Sequence, residues 1–253
     1  MNFKVYIPAR YASTRLPGKM LRVIAGKPLL QHVYERACAS GAAEVIVATD
    51  DERIAQVARA FGAQVCVTSV AHQSGTDRIA EAVATRREAM DAVIVNLQGD
   101  EPAMPSAVIR QTAALVAGSN DLEMATVCEP LTCDADWRDP NQVKVLRDVH
   151  DRALYFSRAA LPFAREPRAV WRGGRDYRRH VGIYAYRVAY LRHFVALSPH
   201  PLELAERLEQ LRALADGARI SVPDALVACG VGIDTPADLA RFAAEFSRHG
   251  ERM

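Results

Sequence analysis

The sequence predicts a single α/β domain with a mixed, mostly parallel sheet that acquires antiparallel strands in its second half. Three observations carry this. Short, continuously apolar runs at 44–49 (EVIVAT), 64–68 (QVCVT) and 92–97 (AVIVNL) are separated by helical patterns; runs apolar on both faces belong to buried strands of a parallel sheet. Two runs at 142–148 and 152–157 flank an Asp-Val-His-Asp turn, the pattern of an antiparallel hairpin. No internal repeat or low-complexity linker divides the 253 residues, a length that large α/β folds commonly fill as one unit.

Taken in order, residues 3–8 are a short apolar run before a loop and form the first strand. Residues 28–40 place apolar side chains at Leu29, Val33 and Ala37 and at Leu30, Tyr34 and Cys38, a helical spacing that Gly41 ends. A helix over 51–61 begins at Asp50 or Asp51, either of which can cap free N–H groups, and stops at Gly62. Further helices are predicted over 76–89 and 105–117, and a strand over 123–128. Beyond the hairpin, 182–187 (GIYAYR) reads as a strand. Residues 202–214 read as one amphipathic helix with Leu204, Leu208 and Leu211 on one face, and 236–247 as a final helix.

Composition narrows the function classes. Half the residues are apolar, a quarter are charged and the net charge is +2, which excludes a strongly basic nucleic-acid coat protein and an acidic disordered chain. Of 32 basic residues only Lys4, Lys19, Lys27 and Lys144 are lysine; codon bias is the simplest source. Five cysteines without a CxxC pair or a Cys/His zinc spacing predict scattered, buried thiols in a reducing compartment. No apolar leader occupies residues 1–20 and no apolar run reaches 18 residues, so the expectation is a cytoplasmic protein without a signal peptide or membrane span.

Chemistry concentrates in a few segments. IPARYASTRLPGK (7–19) follows the first strand and holds Arg10, Arg15 and Lys19 among small residues. At a strand's carboxyl end such a loop suits a polyphosphate, with backbone N–H groups cradling it and cations neutralising it; the alternative is a solvated basic loop. It is no Walker A loop, since Ser13 stands where the first glycine is required and Met20 replaces Ser/Thr. NLQGDEP (96–102) brings Asp100 and Glu101 to the end of another strand, where carboxylates opposite phosphate-binding cations suggest Mg²⁺ held with substrate phosphates; the alternative is a turn acid. In GVGIDTP (230–236), Asp234 precedes a Pro-initiated helix, and by itself reads as a helix cap. Arg158, His180, Tyr184, Glu209 and Gln210 have the side-chain chemistry to bind a polar acid. Residues 165–179 hold six arginines with Trp171 and Tyr177; Gly173-Gly174 and the missing periodicity favour a surface loop over a nucleic-acid patch.

These segments, together with HQSGTDR (72–78), YFSR (155–158), RHVGIYAYR (179–187) and LEQLR (208–212), resemble the 3-deoxy-manno-octulosonate (Kdo) cytidylyltransferases, or CMP-Kdo synthetases, in order over nearly the whole chain. The resemblance implies a nucleotidyltransferase (Rossmann-like) fold with an antiparallel dimerisation extension, a CTP-binding half over about 1–130 and a sugar-binding and dimerisation half over about 131–253. It implies CMP transfer from CTP to Kdo for lipopolysaccharide biosynthesis, with Mg²⁺ as cofactor and a homodimer. It further implies that Arg10, Ser13, Arg15 and Lys19 hold the CTP phosphates and that Ala9, Ser74 and Gln98 surround the base, Gln98 reading cytosine. Asp77 and Arg78 would line the nucleotide side, and Asp100 and Asp234 would hold the metal. Arg10, Lys19, Asp100 and Asp234 would be the catalytic set. Arg158, His180, Tyr184, Glu209 and Gln210 would bind the sugar acid, Arg158 its carboxylate. The chain departs from the family over 163–177, which is unusually Arg-rich, and over 214–222, which lacks an aromatic before the glycine. Acceptors of related enzymes, such as sialic acid, methylerythritol phosphate or an amino analogue of Kdo, are the rival substrates, and a non-catalytic nucleic-acid protein using 165–179 is the rival from another class.

Overall fold

The computed structural model describes residues 1–12, 16–163, 165 and 177–250, the side chains of 245–250 excepted. A parallel core is built from β1 (Lys4–Ala9), β4 (Glu44–Thr49), β5 (Gln64–Val67) and β6 (Val93–Leu97), with a small antiparallel ribbon of β2 (Val23–Ile24) and β3 (Lys27–Pro28) between β1 and β4 in the chain. β10 (Arg178–Arg187) joins β6 antiparallel and carries β7 (Met124–Pro130), which pairs with β11 (Ile220–Ser221). The sheet order is β11-β7-β10-β6-β1-β4-β5. The hairpin read from the sequence is present as β8 (Lys144–Arg147) and β9 (Ala153–Ser157), antiparallel and attached to β10.

Alternation along the central strands builds two cores. Val5, Ile7, Val45, Val47, Val93 and Val95 face one cluster, while Tyr6, Ile46, Ala48 and Ile94 face the other. The first is covered by α1 (Leu29–Ala39), α2 (Glu52–Ala60) and α4 (Ser106–Ala117). The second is covered by α3 (Gly75–Thr85), α6 (Val188–Ala196) and α8 (Gln210–Ala215). Both faces being covered is why 44–49 and 93–97 read as unbroken apolar runs. Asp51 is the cap of α2, its carboxylate accepting from the Arg53 N–H at 3.0 Å.

Several expectations need correction. The segment 202–214 is not one helix: α7 (Pro201–Glu206) ends at Arg207, in the left-handed region at φ 55°, before α8 begins. Leu202 and Leu204 are exposed, whereas Leu208 and Leu211 are buried. β5 is an edge strand, and Val67 is exposed on it. Arg178 and Arg179 belong to β10 rather than to a surface loop, and the remaining arginines of 166–176 lie outside the described residues. All five cysteines are free, but Cys38 and Cys133 are exposed rather than buried. Among the described residues no helix is long and apolar enough to cross a membrane. The sequence also gave no sign of α5 (Asp134–Arg138), of α6 or of the β2–β3 ribbon.

Candidate active site

β1 and β6 are parallel neighbours from which the sheet grows in opposite directions, through β4 on one side and β10 on the other. Ligands of open α/β sheets bind beyond the carboxyl ends of strands at such a switch point. There the structure opens a cavity of about 390 Å³ lined by Ala9, Arg10, Lys19, Ser74, Arg78, Gln98, Asp100 and Asp234. Eight residues singled out from four separate segments thus meet in one crevice. Ser13 and Arg15 lie outside the described residues.

Local structure explains each placement. Gly18 adopts φ +64° and a Cβ there would lie 3.4 Å from the Tyr11 ring, so the turn returning the loop requires glycine. The turn delivers Lys19 into a short 3₁₀ helix, Lys19–Leu21, where the residue is only 5% exposed. Its Nζ donates to Asp100 Oδ2 at 2.7 Å and to Asp234 Oδ1 at 3.2 Å. The ammonium expected on phosphates therefore stands between the two carboxylates expected on the metal.

Asp234 is not the cap of the last helix, α9 (Pro236–Gly250). Thr235 fills that role: its hydroxyl accepts from the Asp238 N–H at 3.2 Å, and the Asp238 carboxylate accepts from the Thr235 N–H at 2.9 Å, a reciprocal capping box. The Ile233 N–H donates to the Asp100 carbonyl at 2.8 Å and so ties the two acidic loops together. The approach needs glycine, since a Cβ at Gly230 would stand 2.2 Å from that of Ala103 and one at Gly232 would stand 2.7 Å from Glu101 Oε1. Glu101 is wedged there, where burial, reinforced by the Asp100 charge, pushes its carboxyl up to about 8.

Ser74 caps α3, accepting from the Asp77 N–H at 3.1 Å. Arg78 lines the crevice, but its guanidinium is committed to Asp50 at 2.8 Å and Thr68 at 2.6 Å. Asp77 faces a neighbouring cavity with His72 and Glu81 rather than the crevice. Gln98 Nε2 donates to Asn96 Oδ1 at 2.9 Å.

Of the expected sugar-side residues, Glu209 reaches α3, His180 and Tyr184 lie together on β10, and Arg158 stands apart from both. Glu209 Oε2 accepts from the Thr76 hydroxyl at 2.7 Å, and burial raises its carboxyl above the ordinary value. Gln210 is 4% exposed, and its Nε2 has no hydrogen-bond partner among the described residues. The His180 ring tilts against Tyr184 with centroids 5.3 Å apart, and its Nε2 meets the Thr126 hydroxyl at 3.0 Å. Burial holds His180 down to about 3, so the ring is neutral, and the same burial raises the Tyr184 phenol. Arg158 is engaged elsewhere: it donates to the carbonyls of Glu206 at 2.7 Å and Pro140 at 2.9 Å. Thr76 and Asn96 were missed from the sequence, although a buried asparagine inside the apolar run VIVNL was a signal.

The chain is similar to known proteins over nearly its whole length. Residues 5–220 match the family model described as cytidylyltransferase. A 3-deoxy-manno-octulosonate cytidylyltransferase of Thioalkalivibrio sulfidiphilus is 52% identical over 249 residues, covering 95% of this chain and 97% of the relative. One of Pseudomonas syringae pv. syringae is 52% identical over 243 residues, covering 94% and 96%. Among solved structures, CMP:2-keto-3-deoxy-manno-octonic acid synthetase complexed with CTP superposes with a TM-score of 0.89 at 40% identity, covering 98% of this chain and 99% of that one. At 15% identity, 4-diphosphocytidyl-2C-methyl-D-erythritol synthase, with a TM-score of 0.61 over 96% of this chain and 98% of its own, shares the fold. The chain belongs to the 3-deoxy-manno-octulosonate cytidylyltransferase family.

Proposed function

We propose that this crevice transfers CMP from CTP to Kdo and releases diphosphate. The convergence of Lys19, Asp100 and Asp234 beside Arg10 and Gln98 in one cavity carries the assignment. The acceptor's anomeric 2-hydroxyl attacks the α-phosphorus and diphosphate leaves in line. No covalent enzyme intermediate is required, so the protein's contribution is positioning and charge neutralisation. Arg10 and Lys19 neutralise the phosphates, with Ser13 and Arg15 on the same loop. Ala9, Ser74 and Gln98 border the base, and Arg78 braces the wall.

The residues fit Mg²⁺. Two carboxylates reach the same ammonium within 2.7 and 3.2 Å, so they converge on one cation-sized position. Among the described residues no cluster of three or more His, Cys, Asp or Glu could hold a metal; a pair of carboxylates suits Mg²⁺, which completes its shell with water and phosphate oxygens. The metal, when bound there, supplies charge neutralisation at the reacting phosphate. Asp100 and Asp234 would hold the metal, and the Lys19 ammonium, which now bridges them, would be the cation on the same loop able to meet the phosphates.

On the acceptor side, Gln210 Nε2, without a partner among the described residues, neutral His180, protonated Tyr184 and Glu209 offer donors and acceptors for a polyhydroxy acid. Arg158 contributes to carboxylate binding only by exchanging its carbonyl partners. The test is diphosphate release from CTP and Mg²⁺ with Kdo, without it, and with sialic acid, methylerythritol phosphate or an amino analogue of Kdo in its place. Release that needs Kdo supports the proposal, and equal release without acceptor or preference for another acceptor defeats it. A homodimer and a cytoplasmic location complete the proposal; light scattering and cell fractionation test them.

A further inference from the structure

We propose that Thr76 and Asn96 are positioning residues for base selection: a hydrogen-bond relay ending on Glu209 fixes the Gln98 amide so that its carbonyl oxygen faces the base. The inference rests on the reading of Gln98 as the cytosine contact.

A glutamine amide is a two-faced reader. With its oxygen forward it accepts from the N4 amino group of cytosine; with its NH₂ forward it donates to O4 of uracil. Something must fix the flip if the side chain is to discriminate. In this chain Gln98 Nε2 donates to Asn96 Oδ1 at 2.9 Å. Gln98 Oε1 lies toward Gly75, where it would stand 3.5 Å from a Cβ, and Gly75 lines the crevice. The orientation of Gln98 therefore depends on that of Asn96.

Asn96 is 1% exposed on β6, and its Nδ2 points to the Thr76 hydroxyl at 3.5 Å, a long hydrogen bond. Thr76 is 4% exposed and donates its only hydroxyl proton to Glu209 Oε2 at 2.7 Å. Glu209 Oε1 in turn accepts from Arg212 at 3.2 Å, which keeps the carboxylate paired with a cation. An ionised carboxylate only accepts. The direction of every link is then set: Thr76 gives to Glu209, Asn96 gives to Thr76, and Gln98 gives to Asn96. Flipping both amides would point Asn96 Oδ1 at a threonine oxygen whose proton is already given away, and two acceptors would face each other in a buried place. The relay thus presents an acceptor to the base, which cytosine satisfies and uracil opposes. It also links a residue of the sugar side to the reader of the nucleotide through buried side chains.

The test measures kcat/KM for CTP and for UTP, with Kdo and Mg²⁺, in the full chain. Thr76→Val keeps the shape and removes the hydroxyl; the CTP-to-UTP ratio should drop about tenfold, the scale of one hydrogen bond. The change should fall on KM, with the melting temperature near that of the parent. Thr76→Ser keeps the hydroxyl and should restore the ratio to within about twofold. Should Thr76→Val fold poorly, Thr76→Ala carries the same expectation. In a Gln98→Leu background, Thr76→Val should shift the ratio no further, because nothing remains to orient. A ratio unchanged by Thr76→Val, while Gln98→Leu collapses it, overturns the relay alone. A ratio unchanged by Gln98→Leu overturns the base assignment and the relay with it.

Discussion

Replacing Lys19 by methionine separates the bridge its ammonium makes between Asp100 and Asp234 from the phosphate role proposed for it. The ammonium lies within 2.7 and 3.2 Å of Asp100 and Asp234, so the two carboxylate oxygens are no more than about 6 Å apart. Removing the cation leaves them facing each other, a repulsion of about 1–3 kcal/mol for an effective dielectric between water and a protein surface. Their side chains are 30% and 45% exposed, which favours the lower end. Lys19→Met should therefore melt below the parent, and Mg²⁺ added without nucleotide should recover more of the loss in the variant than it adds to the parent. The reason is competition: on the proposed metal assignment, Mg²⁺ would have to displace the ammonium from the same oxygens in the parent. Turnover should fall by about 2–4 kcal/mol in kcat/KM, the scale for losing one transition-state donor. Lys19→Arg should also be costly, since a planar fork does not reproduce the contact of a compact, buried ammonium with both carboxylates. Lys4→Arg is the control: Lys4 pairs with Glu44 and Glu88 at the other end of β1, and its kinetics should match the parent. The assays are calorimetric melting across a Mg²⁺ titration and steady-state kinetics. Equal Mg²⁺ stabilisation of parent and Lys19→Met would refute the shared position.

Two further substitutions probe other parts of the site. Thr235→Ala should lower stability by about 1 kcal/mol through the lost cap with turnover little changed, whereas Asp234→Asn should leave the melting temperature near the parent's and reduce turnover by orders of magnitude; chemical unfolding and kinetics on both variants check this. His180 is held down to about 3 against an ordinary value near 6.5, so between those limits the unfolded chain binds a proton that the folded chain does not. Its contribution to stability is complete above about pH 6.5 and falls as pH drops, by up to about 1.4 kcal/mol per unit. Urea unfolding at pH 7, 6 and 5 should then show the parent losing more stability than His180→Gln, and parallel losses would show that the ring titrates normally.

Much of this was legible in the sequence because the relevant signals are local. The runs 44–49 and 93–97 are apolar on both faces, and the cationic loop and the Asp100 segment each follow such a strand, so their meeting at strand ends follows from topology. What the sequence hid depends on choices between neighbours or on tertiary contacts. Asp234 and Thr235 are both good caps, and only the fold shows that Thr235 caps α9 while Asp234 turns to Lys19. Leucine spacing spans the break at Arg207 because neither glycine nor proline marks it, and exposure of Leu204 is visible only after α7 and α8 have packed separately. Arg158 and Asp77 carry suitable chemistry but point elsewhere. Asn96 and Thr76 are ordinary residue types whose role exists only through their hydrogen bonds.

In the proposed reading the crevice beyond β1 and β6 binds CTP with its phosphates over Lys19, Asp100 and Asp234 and its base against Gln98. A crystal structure of the chain with CTP and Mn²⁺ in place of Mg²⁺, with the metal located by its anomalous signal, tests it most directly. The expected result is a metal peak within coordinating reach of Asp100 and Asp234, the Lys19 ammonium moved from the carboxylates to phosphate oxygens, and Gln98 Oε1 on the cytosine amino group. A nucleotide bound outside this crevice, or a metal peak away from both aspartates with Lys19 still between them, would contradict it.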